Sequence, residues 1–383
     1  MTEKRHKKIM ILYASYGDGH YQVAKALSEK FIENGDHEIV LVDLFKQANP
    51  TVNAITKYFY IKSYNVMPAV YGWLYYGTKH IRWHSFLAKW LQSYGIHTMM
   101  GMLNEVRPDV VIHTFPMSVV PELCKRTGIY IPSMTVVTDF DLHHRWLHPG
   151  IDRYYVATAD LKTKFMKAGI PEERVTVSGI PVKPAFEKLP TEHESTIARY
   201  GLQRAKHTVL IMAGAYGVMQ GLAGMCERLS NVENVQIIVV CGRNNTLREE
   251  MEDKFHSRTN VRILGYVEHI DELMRMSTCI VTKPGGITLS EAIMMRLPIL
   301  IYRPVPGQEK DNAVYLADQG AAQISYDPKE LETHILRLLQ DPTHLEQMQQ
   351  ALIHLRIPHS ASLIVNDVFA YLNDREHAAL HEV

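Results

Sequence analysis

The residues densest in possible chemistry are Lys283-Pro284-Gly285-Gly286-Ile287-Thr288-Leu289-Ser290-Glu291-Ala292. They follow a short apolar run, Cys279-Ile280-Val281-Thr282, that predicts a buried strand, and they open an amphipathic helix carrying Leu289, Ile293 and Met294. A strand, a glycine turn and a helix start together make an anion site. Two glycines let the backbone come close to a ligand, and the first unpaired N–H groups of the helix, at its positive dipole end, point at what sits there. A phosphate fits. Glu291 lies one turn into the helix, where its carboxylate can accept two hydroxyl protons from a ribose beside the phosphates. The same residues also fit a plain turn followed by a helix-favouring acid, so the reading depends on what stands near them.

Two further glycine-bearing strand ends occur in the same half of the chain, Gly214 and Gly265, the latter followed by Tyr266 and Val267. In a parallel α/β sheet such ends share one edge, and three of them can hold a nucleotide diphosphate. After the strand at Ile299-Leu300-Ile301 comes a loop dense in hydrogen-bonding groups, Arg303 to Asn312. In it Gln308, Glu309 and Asn312 can bind the hydroxyls of a sugar, or Gln308 and Glu309 can simply cap a helix. A GxxxxGK[ST] loop is missing, as is a GxGxxG with an acid about 20 residues on, which argues against a P-loop ATPase or an ordinary NAD enzyme.

In the first half the candidate proton acceptors are His20, Asp18 and Asp139. His20 follows Gly17-Asp18-Gly19 at a strand-to-helix turn, and an imidazole titrating near pH 6.5 suits a general base. Asp139-Phe140-Asp141, with His143 and His144 close by, has the spacing of a metal-binding carboxylate pair. The diphosphate site falls in the other half, so a metal here would be misplaced for it, and the metal-free reading is the one favoured.

The 383 residues suffice for two domains, and 46% hydrophobic residues for two cores. Four scattered cysteines without a CxxC suggest neither a disulfide framework nor a zinc site and point to a reducing cytosol. There is no apolar run of bilayer-spanning length and no signal-peptide core. The formal charge of zero hides an asymmetry, since residues 1–190 carry 23 basic and 17 acidic side chains and residues 191–383 carry 18 and 24. Between Asp43 and Glu105 no acid occurs in 61 positions, for which chance allows about one in a thousand. Lys46, Lys57, Lys62, Lys79, Arg82 and Lys89 all fall there, together with 12 aromatics between residues 58 and 94, among them Trp73, Tyr75, Trp83 and Trp90. Basic and aromatic residues without acids describe a surface that lies on anionic lipid headgroups. A helical core accounts for some of the aromatics, and nucleic acid fits less well because the cluster is unusually apolar and the whole chain is near neutral.

Around these residues the pattern is βα alternation. Apolar runs beginning at Lys8, Glu38, Val110, Ser133, Arg153 and Val175 predict one set of strands, and runs at Thr208, Val235, Val261, Cys279, Pro298 and Ala321 a second. The expected organisation is an N-terminal Rossmann-like domain over residues 1–185, a linker over 186–206, a C-terminal Rossmann-like domain over 207–360, and a helix and tail over 361–383. The fold class is α/β, two parallel-sheet domains facing a cleft.

Six motifs, in order and spacing, carry a resemblance: Tyr16-Gly17-Asp18-Gly19-His20; Thr114-Phe115-Pro116; Val137-Thr138-Asp139-Phe140 with His144 and Trp146; Ser178-Gly179-Ile180-Pro181-Val182; Lys283 to Ala292; and Pro306-Gly307-Gln308-Glu309. Together they resemble the processive diacylglycerol glucosyltransferases of Gram-positive bacteria, relatives of plant monogalactosyldiacylglycerol synthases and of the peptidoglycan N-acetylglucosaminyltransferase that completes lipid II. The resemblance implies a GT-B fold and an inverting transfer without a metal or other cofactor. It implies UDP-glucose as donor and diacylglycerol as acceptor, with repeated addition to give mono- and diglucosyldiacylglycerol. It gives Glu291 to the ribose, the Gly285-Gly286 turn, Thr288 and Lys283 to the diphosphate, and Gln308 and Glu309 to the hexose. On the acceptor side stand His20 and Asp139, either of them the base. The partners it implies are a UDP-sugar, diacylglycerol and an anionic membrane surface, with the protein peripheral on the cytoplasmic face or in the cytosol. UDP-galactose as donor, a UDP-sugar epimerase and a non-catalytic UDP-sugar sensor stand as alternatives.

Overall fold

The computed structural model describes residues 6–15, 18–48, 68–79, 95–187, 194–214 and 221–381. The chain divides into two compact units, Met1–Lys183 with Ile357–Val383, and Pro184–Arg356.

The first unit is built on six strands, β1 Lys8–Tyr13, β2 Glu38–Asp43, β3 Val110–His113, β4 Ser133–Val136, β5 Arg153–Val156 and β6 Val175–Val177. All pair in parallel, in the order β2-β1-β3-β4-β5-β6. Ile9, Met10 and Ile11 are fully buried, as a strand covered on both faces by crossover helices requires. The Asp18–Glu33 helix covers one face with Val23, Ala26, Leu27 and Phe31. On the other, Ile96, Met99 and Leu103 of the Ile96–Val106 helix pack with Met10, Leu12 and Val111. From β1 the chain crosses to β2 on one side, and β3 lies on the other, so the sheet's switch point is between the carboxyl ends of β1 and β3.

The last helix, Ser360–His381, belongs to this unit. Phe369 meets Phe31 edge-on at 5.6 Å between centroids, Asp367 accepts from the Tyr155 hydroxyl at 2.8 Å, and Glu376 pairs with the buried Lys7.

The second unit repeats the plan with β7 His207–Met212, β8 Val235–Val240, β9 Val261–Leu264, β10 Cys279–Thr282, β11 Ile299–Tyr302 and β12 Ala322–Ser325. The order is β12-β11-β10-β7-β8-β9, again all parallel, and the switch point falls between β7 and β10. Its core gathers Val209, Ile211, Ile237, Val239, Val281 and Leu300 under Leu331, Ile335 and Leu338 of the Pro328–Gln340 helix. Asp327 caps that helix by accepting from the N–H groups of Lys329 and Glu330, with Pro328 at its first position.

The stretch expected as a linker differs from a bare connection. Glu194–Tyr200 is a helix, and Arg199 on it reaches Glu272 at 2.9 Å within the second unit. Among the described residues no helix is long and apolar enough to cross a membrane.

Candidate active site

The turn after β10 lies at the second unit's switch point. Gly285 is the N-cap of the Gly286–Met295 helix, and its carbonyl accepts the first helical bond, from Leu289 N–H at 3.0 Å. The N–H groups of Gly286, Ile287 and Thr288 come too early in the helix to find a carbonyl four residues back within it. Gly285 has φ −71°, which any residue adopts, and a Cβ built there meets nothing within 4 Å. Neither backbone nor packing therefore demands glycine. What the missing side chain leaves is open space at a helix N-terminus, the shape of an anion cradle. Across the switch point, after β7, Gly214 does need its glycine, at φ +81°, and it too has nothing within 4 Å of a Cβ.

Two ionisable groups by this turn are displaced by burial. The Lys283 ammonium is held down at about 8 and the Glu309 carboxyl is pushed up to about 8, the latter despite the Val305 N–H that Glu309 accepts at 3.3 Å. At neutral pH Glu309 is chiefly a neutral acid, able to donate as well as accept. Glu291 is 8% exposed on the inner side of its helix. Gln308 and Glu309 open the Gln308–Asp318 helix, and Gly307 before them has φ 111° and ψ −144°, a region essentially closed to other residues. Asn312 is buried, and its Nδ2 donates to the Pro284 carbonyl at 3.2 Å. Gly265 follows β9 with Tyr266 half exposed, the Arg243 guanidinium lying 5.0 Å above its ring, and Val267 half buried. Arg243 was not singled out from sequence, although it follows Cys241-Gly242 at the end of β8, another glycine-bearing strand end.

In the first unit, His20 sits in the first turn of the Asp18–Glu33 helix, beside the β1/β3 switch point. Its Nδ1 lies 2.6 Å from the Thr114 carbonyl oxygen and 3.2 Å from the Thr138 hydroxyl. Thr114, just past β3, is itself tied to β1 through its N–H on Leu12 O at 2.9 Å. A carbonyl only accepts, so Nδ1 carries the proton and Nε2 the lone pair. Burial lowers the imidazole to about 4, the Thr114 contact opposing it, so the ring is neutral at physiological pH. Phe115 meets the ring edge-on at 5.0 Å. Thr114 and Thr138 were visible only as motif members, without a role.

Asp139 is 6% exposed, and its Oδ2 accepts from Trp146 Nε1 at 3.0 Å. Asp141, whose spacing from Asp139 also fits a metal-binding pair, is engaged by two ammonium groups. Its carboxylate takes Lys79 Nζ at 2.7 Å and Lys164 Nζ at 2.5 Å. Burial alone would raise this acid, and the two ammonium groups together outweigh it and lower it. Asp141 thus links the Pro68–Lys79 helix to the Ala159–Lys167 helix beside the Asp139 loop.

Of the residues expected at a lipid surface, Lys57, Lys62, Arg82, Trp83 and Trp90 lie outside the described residues. On the Pro68–Lys79 helix Trp73 is 75% exposed, Tyr75 is half buried with its ring 4.7 Å from that of His143, and Lys79 is engaged by Asp141.

A processive diacylglycerol beta-glucosyltransferase of Bacillus cereus (strain B4264) is 40% identical over 367 residues, covering 96% of this chain and 94% of that protein. The chain belongs to the processive diacylglycerol beta-glucosyltransferase family. Membership accords with two family matches, monogalactosyldiacylglycerol (MGDG) synthase over residues 20–182 and glycosyl transferases group 1 over residues 196–354. The first spans His20 and Asp139, the second the glycine turn and Asn312.

Solved structures share the two-unit GT-B fold. The MurG of Acinetobacter baumannii superposes with a TM-score of 0.61 at 16% identity, over 94% of this chain and 98% of that one. A UDP-GlcNAc 2-epimerase from Neisseria meningitidis bound to UDP-GlcNAc gives 0.64 at 14%, over 95% and 100%. The fold therefore accommodates both transferase and epimerase, and it is the family that separates them.

Proposed function

We propose that this protein transfers glucose from UDP-glucose to diacylglycerol and then to the glucosyl product, making mono- and diglucosyldiacylglycerol. The observation that carries this is the 40% identity to the Bacillus cereus glucosyltransferase, which runs through both units. Groups found within each unit support the following mechanism.

UDP-glucose holds its diphosphate in the α configuration, so a β-glucoside requires inversion, a single displacement at C1. The glycerol hydroxyl loses its proton to His20 Nε2 as its oxygen bonds to C1. The C1–O bond to the diphosphate breaks, and UDP leaves with the electron pair. The His20 tautomer is set for this by Thr114, and Asp139, held by Trp146, orients the acceptor or steadies the developing imidazolium. Charge on the leaving diphosphate is stabilised by the Gly286–Thr288 helix start and by Lys283, which gains its proton's full value as the anion approaches. Glu291 takes the ribose, and Gln308 with Glu309 the hexose. The reading assigns no step to a metal. Activity lost in EDTA and restored by Mn²⁺ would oppose it.

The acceptor is a lipid, so the protein works at an anionic membrane surface, peripherally and from the cytoplasmic side. The exposed Trp73 and the acid-free stretch around it support this. The MGDG synthase match favours UDP-galactose as a second donor. It falls on residues 20–182, whereas the hexose is expected at Gln308 and Glu309, so it speaks more for the lipid acceptor than for galactose. UDP-glucose and UDP-galactose offered separately with diacylglycerol vesicles decide the donor. Glycolipid forming chiefly from UDP-glucose is expected, and faster synthesis from UDP-galactose would reverse the assignment.

A further inference from the structure

Two groups of residues in the donor reading act on one substrate, the Lys283–Gly286 turn on the diphosphate and the pair Gln308 and Glu309 on the hexose. They come from different crossovers of the sheet, one after β10 and one after β11. The bond that breaks, from C1 of the hexose to the diphosphate oxygen, runs from one group to the other. Misplacement by about 1 Å at such a bond can cost on the order of a hundredfold in rate. Their separation has to be fixed.

A buried hydrogen bond joins them. Asn312 lies one helical turn beyond Gln308 and Glu309, so the three share a face of the Gln308–Asp318 helix. Its side chain is 1% exposed, and its Nδ2 donates to the Pro284 carbonyl at 3.2 Å. The Pro284–Gly285 peptide is held from its other side as well, Gly285 N–H donating to Lys283 O at 2.9 Å. That peptide leads straight into Gly286, the first residue of the helix whose N–H groups face the anion. A glycine with open space around its Cβ position gives the turn no lateral support of its own. Asn312 supplies it from the sugar-binding helix, whose start is in turn closed by Glu309 on the Val305 N–H.

We propose that Asn312 is a positioning residue for the donor, its amide registering the start of the hexose-binding helix against the diphosphate turn so that the scissile bond is presented in one geometry. The proposal rests on the donor-site reading above. It moves Asn312 from a sugar hydroxyl, the partner its loop suggested in sequence, to the Pro284 carbonyl.

Asn312→Ala removes the bond and leaves the turn and the sugar loop to drift apart. UDP spans the turn alone, so its affinity stays within about twofold, whereas UDP-glucose spans both parts and its affinity and kcat each fall about tenfold. Asn312→Asp adds a readout that packing alone does not give. Ionised, the carboxylate faces the Pro284 carbonyl and repels it. Protonated, its O–H donates where the amide did. The activity of Asn312→Asp relative to the unaltered protein therefore rises as pH is lowered from about 8 to about 5.5.

The test is calorimetric titration of UDP and of UDP-glucose into the full-length protein and both variants, with melting temperatures and a pH series of glycolipid synthesis. A selective loss of UDP-glucose over UDP, with recovery of Asn312→Asp at low pH, is the expected result. Equal weakening of both ligands, no weakening of either, or a flat relative pH profile for Asn312→Asp overturns it. Should Asn312→Ala fail to fold, the Asn312→Asp series decides. An unaltered protein that binds neither nucleotide overturns the donor reading itself, an outcome distinct from binding that is insensitive to Asn312.

Discussion

His20 is held with its Nδ1 2.6 Å from the carbonyl oxygen of Thr114, a backbone atom that itself sits just past a central strand. The partner is a carbonyl, so the ring is locked in the tautomer that offers Nε2 as an acceptor, and burial lowers it to about 4. A base needed in its neutral form is then competent throughout the range in which the protein is expected to work. kcat/KM should show no acid limb near 6.5, the usual histidine value, and should fall through this group only as pH approaches about 4. His20→Ala should lose about 10²- to 10⁴-fold in kcat, with UDP binding retained. An acid limb near 6.5 that vanishes in His20→Ala would contradict the geometry.

Lys283 predicts a proton balance. Burial holds its ammonium down at about 8, and a diphosphate beside it favours the charged form. Binding of UDP-glucose, whose diphosphate has no proton to exchange in this range, should therefore take up protons at about pH 8 and almost none at about pH 6.5, where Lys283 is already charged. Calorimetry in buffers of differing ionisation heat measures this directly. Lys283→Met should abolish the uptake and weaken UDP about tenfold or more. Uptake unchanged in that variant would remove Lys283 from the phosphate.

Glu309 predicts a cost in stability. Its folded value, about 8, lies above the unfolded carboxyl value, so the folded protein binds the extra proton. Stability from this group is complete below the unfolded value near 4.5 and is lost as pH rises from there to about 8. Glu309→Gln imitates the neutral acid and lacks this loss. Its melting temperature should match that of the unaltered protein at about pH 4.5 and exceed it at about pH 8. Equal melting temperatures at both would mean that the carboxyl is not forced neutral.

The fold was largely legible because buried parallel strands write themselves as unbroken apolar runs. Each of the twelve expected runs is a strand, from Lys8–Tyr13 to Ala322–Ser325. Apolar character continues past the ladder at the carboxyl ends of β4, β7 and β8, where Val137, Ala213 and Cys241 stay buried although the strand pairing has ended. At those ends the chain leaves the sheet without leaving the core. The site's parts were named from motifs, but their bonds were not. A residue type states what a side chain can do and not which carbonyl it meets. Asn312 was read for its capacity to bind a sugar hydroxyl, and its Nδ2 also meets the Pro284 carbonyl; Asp141 has the spacing of half a metal pair and lies between Lys79 and Lys164. Both bonds depend on crossovers far apart in sequence being brought side by side. The acid-free stretch was visible as composition, yet nothing in composition shows that Lys79 has its counter-charge at Asp141.

Trp73 carries the membrane expectation among the described residues. Its 75% exposed indole stands on the Pro68–Lys79 helix within the acid-free stretch, and it is the group expected to enter a lipid surface. Trp73→Ala should weaken sedimentation with anionic diacylglycerol vesicles by about 2 kcal/mol, the value of burying a large apolar side chain, and leave UDP binding unchanged. Undiminished sedimentation would send the lipid contact elsewhere. Lys79→Glu is a different experiment, for it sets a second carboxylate against Asp141 and should lower the melting temperature.

The central claim is that glucose passes from UDP to diacylglycerol with inversion, and one measurement meets it directly. UDP-glucose labelled with ¹³C at C1 is incubated with the protein and diacylglycerol vesicles, the lipid is extracted, and the anomeric carbon is read by NMR. A β-glucosyl signal in the lipid fraction is the expected result. An α-glucosyl lipid, or label confined to the aqueous phase as an altered UDP-sugar or free glucose, would contradict it.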